Sequence, residues 1–311
     1  MSKINFLHSV IFLGTGASSS LPNVLCITRE KSGCKVCPSA LTEEGKRNRR
    51  RNCSLLVRWY DGTGKLRNIL IDCGKTFFEA SLAFLAPLKI TTIDAVILTH
   101  GHADAMFGLD DLRSWSWMKD GGIPVYLSQS TMDVVASAFP YLVDRNKATG
   151  GGEVPTLRFK VINEYKNFTV EGLEFTPINV EHGVQHGCQA YMSLGFRFKN
   201  VTYLSDVSKI PDEVRNRIDG TKLLIIDCLR ELYYPSHYGF QEAIGEVIKY
   251  KPLNTYFVGM GHSLDHEEFS KKCQKVSATK FPGHSIQPAY DGLSLEFVDS
   301  IQKEFNLSSL N

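Results

Sequence analysis

At 311 residues, with 43% hydrophobic and 22% charged positions, the chain has the composition of a folded globular protein with a core large enough for one large domain or two small ones. A formal net charge of +2 excludes any argument from overall charge for nucleic acid or membrane as an obligate partner. The start, MSKINFLHSVIFLG, has only a short apolar run and no small-residue cleavage site. No later run reaches bilayer length, so a cytoplasmic or nuclear protein with reduced thiols is expected.

In chain order, apolar β-branched runs predict strands at Val10–Leu13, Ser54–Trp59, Asn68–Asp72, Asp94–Leu98, Pro124–Leu127, Leu173–Ile178, Ala190–Phe198, Val201–Leu204, Leu223–Asp227 and Thr255–Val258. Helical spacing falls between them at Thr76–Ala86, Thr131–Phe139, Gly239–Tyr250 and His266–Val276. Strands alternating with helices give an α/β or α+β class with helices packed outside sheets. There is no repeat and no low-complexity linker. A single domain over 1–311 is the simpler reading, with a polar, cysteine-containing loop at about 26–52.

Within that loop the run KRNRRR (Lys46–Arg51) is either a solvated surface or a contact for phosphate. Cys34 and Cys37 form a C-x-x-C, with Cys26 eight residues upstream. Two thiolates at that spacing can share a zinc ion, and a third thiolate or an imidazole would close the tetrahedron; a redox dithiol is the alternative. The remaining cysteines, Cys53, Cys73, Cys188, Cys228 and Cys273, sit in apolar runs or singly and read as packed thiols.

Most chemistry concentrates in IDAVILTHGHADAMFGLDDLR. Here a buried strand gives way to Thr99-His100-Gly101-His102-Ala103-Asp104. Histidines two apart in an extended segment point the same way, so both imidazoles can reach one cation. Asp104 can ligate that cation, orient a water or bind a neighbouring metal.

The stretch THGHADAMFGL resembles the THxHxDHxxGL signature of the metallo-β-lactamase superfamily. Gly14-Thr15-Gly16, Asp72-Cys73-Gly74, the VEHG containing His182 and the YLSDV containing Asp206 follow in that superfamily's order. The resemblance implies a four-layer αββα sandwich. It also implies a first metal held by His100, His102 and His182, with Asp206 bridging toward a second metal that Asp104 would also ligate; Asp72 is then a supporting or structural acid. Two departures bear on the second metal. Ala105 stands where the signature has histidine, and Gly259 falls on a later histidine position unless His262 itself turns into the site. About one firmly held ion is therefore expected, Zn2+ or else Mn2+ or Fe2+.

The cysteine loop, the SHYGFQEA segment and PAYDGL (Pro288–Leu293) resemble the PhnP-like branch, which comprises cyclic phosphodiesterases of bacterial phosphonate breakdown. That branch holds a structural zinc through clustered cysteines and a late histidine. The resemblance implies Cys34 and Cys37 as ligands, Cys26 replacing the cysteine that Ser32 lacks, and His262 as the fourth. It also implies an active-site role for His237, the candidate proton donor to a leaving alkoxide, with Asp104 orienting water where no second metal binds. His186 and His266 read as surface or supporting groups, and His8 and His284 carry no argument for chemistry.

The reading is a metallo-hydrolase, a phosphodiesterase acting on a cyclic phosphate or phosphodiester through a metal-bound hydroxide. Its alternatives are an RNA-processing nuclease, a thioesterase and a degenerate, non-catalytic metal-binding module. A small-molecule phosphodiester is the expected partner, RNA a weaker one, no membrane is expected, and a homodimer is compatible.

Overall fold

The computed structural model describes residues 5–185, 189–298 and 301–307. Within them the strands are β1 (Phe6–Gly14), β2 (Ser54–Tyr60), β3 (Leu66–Ile71), β4 (Ala95–Ile97), β5 (Ile123–Leu127), β6 (Leu157–Val161), β7 (Phe168–Val170), β8 (Leu173–Val184), β9 (Ala190–Phe198), β10 (Val201–Leu204), β11 (Leu223–Asp227), β12 (Asn254–Val258), β13 (Ser285–Pro288), β14 (Leu293–Val298) and β15 (Ile301–Asn306). The helices are α1 (Val24–Thr28), α2 (Val36–Ser39), α3 (Phe77–Ala80), α4 (Ala103–Met106), α5 (Arg113–Trp117), α6 (Gln129–Ala138), α7 (Pro140–Val143), α8 (Phe240–Tyr250) and α9 (His266–Lys280).

The strands build two mixed sheets, in the orders β15-β14-β1-β2-β3-β4-β5-β6 and β13-β12-β11-β10-β9-β8-β7. Strands β3 to β6 run parallel in the first sheet, and β10 to β13 in the second. The chain divides into two compact units. One takes the chain up to Leu13, Ser54–Phe175 and the chain from Gly292; the other takes Gly14–Cys53 and Thr176–Asp291. No helix of the described residues is long and apolar enough to cross a membrane.

The inner parallel strands, β3 to β5 and β10 to β12, are apolar runs read from the sequence, because a strand covered on both faces is apolar almost throughout. In β3, Ile69, Leu70 and Ile71 are all fully buried. In the first unit, Leu56, Leu70, Val96 and Val125 pack with Phe77 and Phe84, and the predicted helix Thr76–Ala86 is α3 followed by a π-helical turn at Ser81–Leu85. In the second unit, Leu204, Leu224, Ile226 and Phe257 pack with Phe240, Ile244 and Val247 of α8 and with Phe269 and Cys273 of α9. Helix α9 starts where Asp265 accepts from the Glu267 and Glu268 amides, 3.1 Å each. Five strands, β6, β7, β13, β14 and β15, were not expected from the pattern.

The basic run is solvated only in part, since Lys46, Arg47 and Arg49 keep exposed surface while Arg50 does not. Arg50 is completely buried and donates to the Gly261 and Leu264 carbonyls at 3.0 and 2.8 Å. Arg51 donates its amide to buried Asp291 at 2.8 Å, Arg47 pairs with Glu267 at 3.2 Å and lies over the Tyr290 ring, Arg49 caps the Ala40 carbonyl, and Lys46 pairs with Glu43. These charges are spent within their own unit. His266, read as a surface or supporting group, is also buried. Its amide donates to Asn48 Oδ1 at 2.8 Å, and burial, with Arg50 and Arg47 nearby, pulls its imidazole down to about 3.

A histidine kept neutral by the fold takes up its proton more readily when unfolded, near 6.5. Its contribution is therefore complete above that pH and is lost as pH falls toward 3. Relative to His266→Phe, the wild type should lose about 1 kcal/mol of stability per pH unit between pH 6 and pH 4. Urea unfolding of both proteins across that range reads the difference, and a constant gap would show that His266 does not couple folding to pH.

Candidate metal centre

In the first unit, β4 delivers Thr99 and His100 directly past its last residues. The Thr99 amide donates to Asp72 Oδ1 at 2.8 Å, and its hydroxyl donates to the same carboxylate at 2.9 and 3.1 Å. A hydroxyl has one proton, so Thr99 Oγ1 can only accept from His100 Nδ1, 2.8 Å away. The chain Asp72–Thr99–His100 thus places hydrogen on Nδ1 and leaves Nε2 with the lone pair a metal needs. Asp72, nearly fully buried with φ 62°, sits in the left-handed region that aspartate tolerates better than most side chains. His102 is exposed at the N-cap of α4, its ring 4.6 Å from that of His100. Asp104 is buried in the first turn of α4. The Asp72-Cys73-Gly74 turn closes on this helix, with Cys73 N–H donating to the Ala105 carbonyl at 2.7 Å.

In the second unit, the long strand β8 carries His182. Its Nδ1 lies 2.7 Å from the Ser236 carbonyl, which can only accept, so Nδ1 again bears the hydrogen. Gly183 makes that approach possible: its φ is 76°, and a Cβ there would stand 2.8 Å from Ser236 Cβ. Asp206 follows β10, with Oδ1 4.0 Å from His182 Nε2. His237 stands with its ring centroid 4.8 Å from that of His182, and its Nδ1 is 2.7 Å from Asp227 Oδ2, which also accepts the Val207 amide at 3.1 Å. Ligand atoms of His182, Asp206 and His237 all lie within 4.8 Å of one another. Imidazole nitrogens with a carboxylate oxygen suit a borderline dication such as zinc.

Asp227 and Ser236 were not read from the sequence. The available signal was the lone carboxylate closing the apolar strand LLIID. Burial pushes the Asp227 carboxyl up to about 6; His237 opposes that shift and Asp206 adds to it. Of the two departures noted in the sequence, Ala105 is buried against its neighbours, and Gly259 has φ 71° with the place of its missing Cβ taken by Asp227 Oδ1. No side chain fits at Gly259.

His262 belongs to the cysteines. Its Nδ1 lies 3.2, 3.7 and 3.8 Å from the sulfurs of Cys26, Cys34 and Cys37, and the four ligand atoms are mutually within 4.8 Å. A zinc tetrahedron with its usual bond lengths has edges of about 3.6 Å, so this set of three sulfurs and one nitrogen fits one. Helix α1, capped by Asn23, brings Cys26 back toward the C-x-x-C despite the sequence gap. Burial works against ionising Cys34, but hydrogen bonds from Cys37 and Cys26 outweigh it and hold that thiol below its usual range; Cys37 is pushed up to about 12. A cation among the sulfurs would relieve that cost. Cys53, Cys73, Cys228 and Cys273 are buried thiols. His186 and Cys188 lie outside the described residues. His8 bonds Ser9, and His284 donates to the Pro252 carbonyl.

Residues 67–260 match the family model of the β-lactamase superfamily domain, and the chain belongs to the metallo-β-lactamase superfamily, with its α/β, four-layer αββα fold. Within the superfamily it falls in the PhnP-like branch. It is similar to a diphosphatase from the PhnP family, with 30% identity, a TM-score of 0.74, and coverage of 93% of this chain and 98% of that one. It shares its fold with zinc-bound PqqB from Methylobacterium extorquens, at 19% identity, a TM-score of 0.71, and coverage of 93% and 99%. It is also 28% identical over 284 residues to an octanoyltransferase of Porphyromonas gingivalis; that alignment covers 91% of this chain, which spans half the length of that curated relative.

Gly259→Ala should destabilise the protein by roughly 2 kcal/mol, from the left-handed backbone and the collision with Asp227. In an Asp227→Ala background the collision disappears, so the double variant should cost less than the sum of the two single changes. Urea midpoints of the four proteins measure this coupling, and strict additivity would mean that Asp227 does not close off the Gly259 position.

Proposed function

We propose that the protein is a cytoplasmic, metal-dependent phosphodiester hydrolase acting on a small cyclic phosphate or phosphodiester. His100, His102, His182 and Asp206 would hold a catalytic Zn2+, or Mn2+ or Fe2+ in its place, with Asp104 as a further ligand or the group that orients water. The observation that carries the metal reading is the pair of histidines in the second unit, His182 and His237, each tied at Nδ1 and grouped with Asp206. Support for phosphoryl over other substrates comes from the similarity to the PhnP-family diphosphatase over nearly the full length of both chains.

A bound dication supplies Lewis acidity toward a phosphoryl oxygen and a source of hydroxide at neutral pH. The residues fix where it can act. Asp72 through Thr99 orients His100, the Ser236 carbonyl orients His182, and Asp227 orients His237. Cys26, Cys34, Cys37 and His262 would hold a separate structural Zn2+.

A second reading, hydrolysis of an acyl thioester, is favoured by the octanoyltransferase relative and by exposed apolar residues close in sequence to the second-unit histidines. Val184 and Leu232, close in sequence to His182 and His237, are 72% and 75% exposed. An RNA substrate has weaker support, since Arg50 and Arg51 of the basic run are engaged with buried partners.

The test is turnover of bis(p-nitrophenyl)phosphate, a ribose cyclic phosphate, RNA and an octanoyl thioester by the metal-loaded protein. His102→Ala and His182→Ala should each lower kcat/KM on the preferred phosphodiester by at least ~100-fold with the fold intact. Preference for the thioester would install the second reading, and absence of turnover on every substrate would make the protein a binding module. Independently, Cys37→Ala should release one zinc per chain by elemental analysis and lower stability by several kcal/mol, on the order of what a structural zinc contributes.

A further inference from the structure

We propose that His237 is a metal ligand, so that His182 Nε2, an Asp206 carboxylate oxygen and His237 Nε2 form a three-donor site for a divalent cation. This rests on the metal-dependent reading above. His182 and Asp206 are shared with it, and His237 is what it adds, in place of the proton-donor role expected from the sequence.

The argument begins with tautomers. A neutral imidazole has one N–H and one lone pair, and the partner of the first nitrogen decides where the lone pair sits. His237 Nδ1 is held at 2.7 Å by Asp227, a fully buried carboxylate that also accepts the Val207 amide. His182 Nδ1 is held at 2.7 Å by a carbonyl. Both rings therefore present Nε2. A histidine backed by a carboxylate, with the opposite nitrogen turned to a donor cluster, is the arrangement metal-binding histidines adopt.

Distance supports the same assignment. The donor atoms of His182, Asp206 and His237 lie within 4.8 Å of one another, and the 4.0 Å between His182 Nε2 and Asp206 Oδ1 needs to close by about 0.7 Å to become a nitrogen–oxygen edge of a zinc tetrahedron. Nitrogen and oxygen donors of this kind select zinc or a similar borderline dication, and three of them leave room for a further ligand. The site is also protected from a competing side chain, because the Gly259 position is filled by Asp227.

The experiment titrates chelator-stripped full-length protein with Co2+ alone. Ligand-field absorption reports the nitrogen and oxygen donors, and the thiolate charge-transfer band reports the cysteine site separately. His237→Ala and His237→Gln should weaken Co2+ binding outside the thiolate site by at least ~10-fold and change the ligand-field spectrum, and Asp227→Asn should weaken it ~10- to 100-fold. The thiolate band and the circular-dichroism melt should hold in each. The glutamine variant preserves a polar side chain should alanine fail to fold. Affinity within twofold of wild type and an unchanged spectrum in a folded His237 variant would overturn the assignment and return His237 to a role on substrate. His237-dependent Co2+ binding without turnover of any phosphodiester would instead sink the substrate reading and leave this assignment standing.

Discussion

The candidate ligands of each unit depend on hydrogen bonds that fix the Nδ1 side of three histidines, His100 in the first unit and His182 and His237 in the second. An imidazole with a mobile proton is a poor ligand, because each binding event must first select one of two tautomers and one ring orientation. Here that choice is made by folding. Thr99, itself saturated by Asp72, receives His100; the Ser236 carbonyl receives His182; Asp227 receives His237. The three acceptors differ in kind, a hydroxyl, a carbonyl and a carboxylate, yet each leaves Nε2 as the nitrogen with the lone pair.

Two buried carboxylates stand behind those contacts, Asp227 directly and Asp72 through Thr99, and burying a carboxylate is costly unless its oxygens are engaged. Asp72 takes both the amide and the hydroxyl of Thr99, while Asp227 takes the Val207 amide and His237 through Oδ2 and keeps Oδ1 against Gly259 with no hydrogen-bond partner among the described residues. Both lie where a strand of the parallel part of a sheet ends, Asp72 directly after β3 and Asp227 closing β11. The strands supply rigidity and their ends supply polar side chains, so each histidine inherits the precision of a sheet. Glycines complete the arrangement. Gly183 allows Ser236 to reach His182, and Gly259 gives Asp227 the space it occupies.

What could be read from the sequence follows from how local each signal is. Strand β9, AYMSLGFRF, matches its predicted limits although it is partly exposed, and β10 and β11 match theirs because buried parallel strands are mostly apolar. The missed strands lack that signature: β6, LRFKV, is half exposed, β7 has three residues, and β13 ends in proline. His100, His102 and Asp104 stand out as candidates because they are adjacent, and His182 and Asp206 because they fit a known order. Asp227 does not, since a single carboxylate after an apolar run gives no hint that its partner lies ten residues on. The arginines misled for the opposite reason. A run of six polar residues looks solvated, and only tertiary structure reveals that Arg50 is spent on two backbone carbonyls.

That arginine connects the two chemical features of the second unit. Its bonds to the Gly261 and Leu264 carbonyls grip the turn on either side of His262, while Asn48, two residues earlier, donates to Asp265 at 2.7 Å and accepts the His266 amide. The turn is thereby clamped to the segment that follows the cysteines. Three residues before His262, Gly259 lies against Asp227, the anchor of His237. One short stretch after β12 therefore faces a sulfur-rich cluster at one end and a carboxylate-held histidine at the other. Burying a guanidinium, whose acidity is raised until its pKa falls to about 10, is a cost the fold bears to hold that stretch still. Rigidity at the cysteine cluster and placement of Asp227 are then consequences of the same clamp, and the polar segment before β2 is a structural part of its unit.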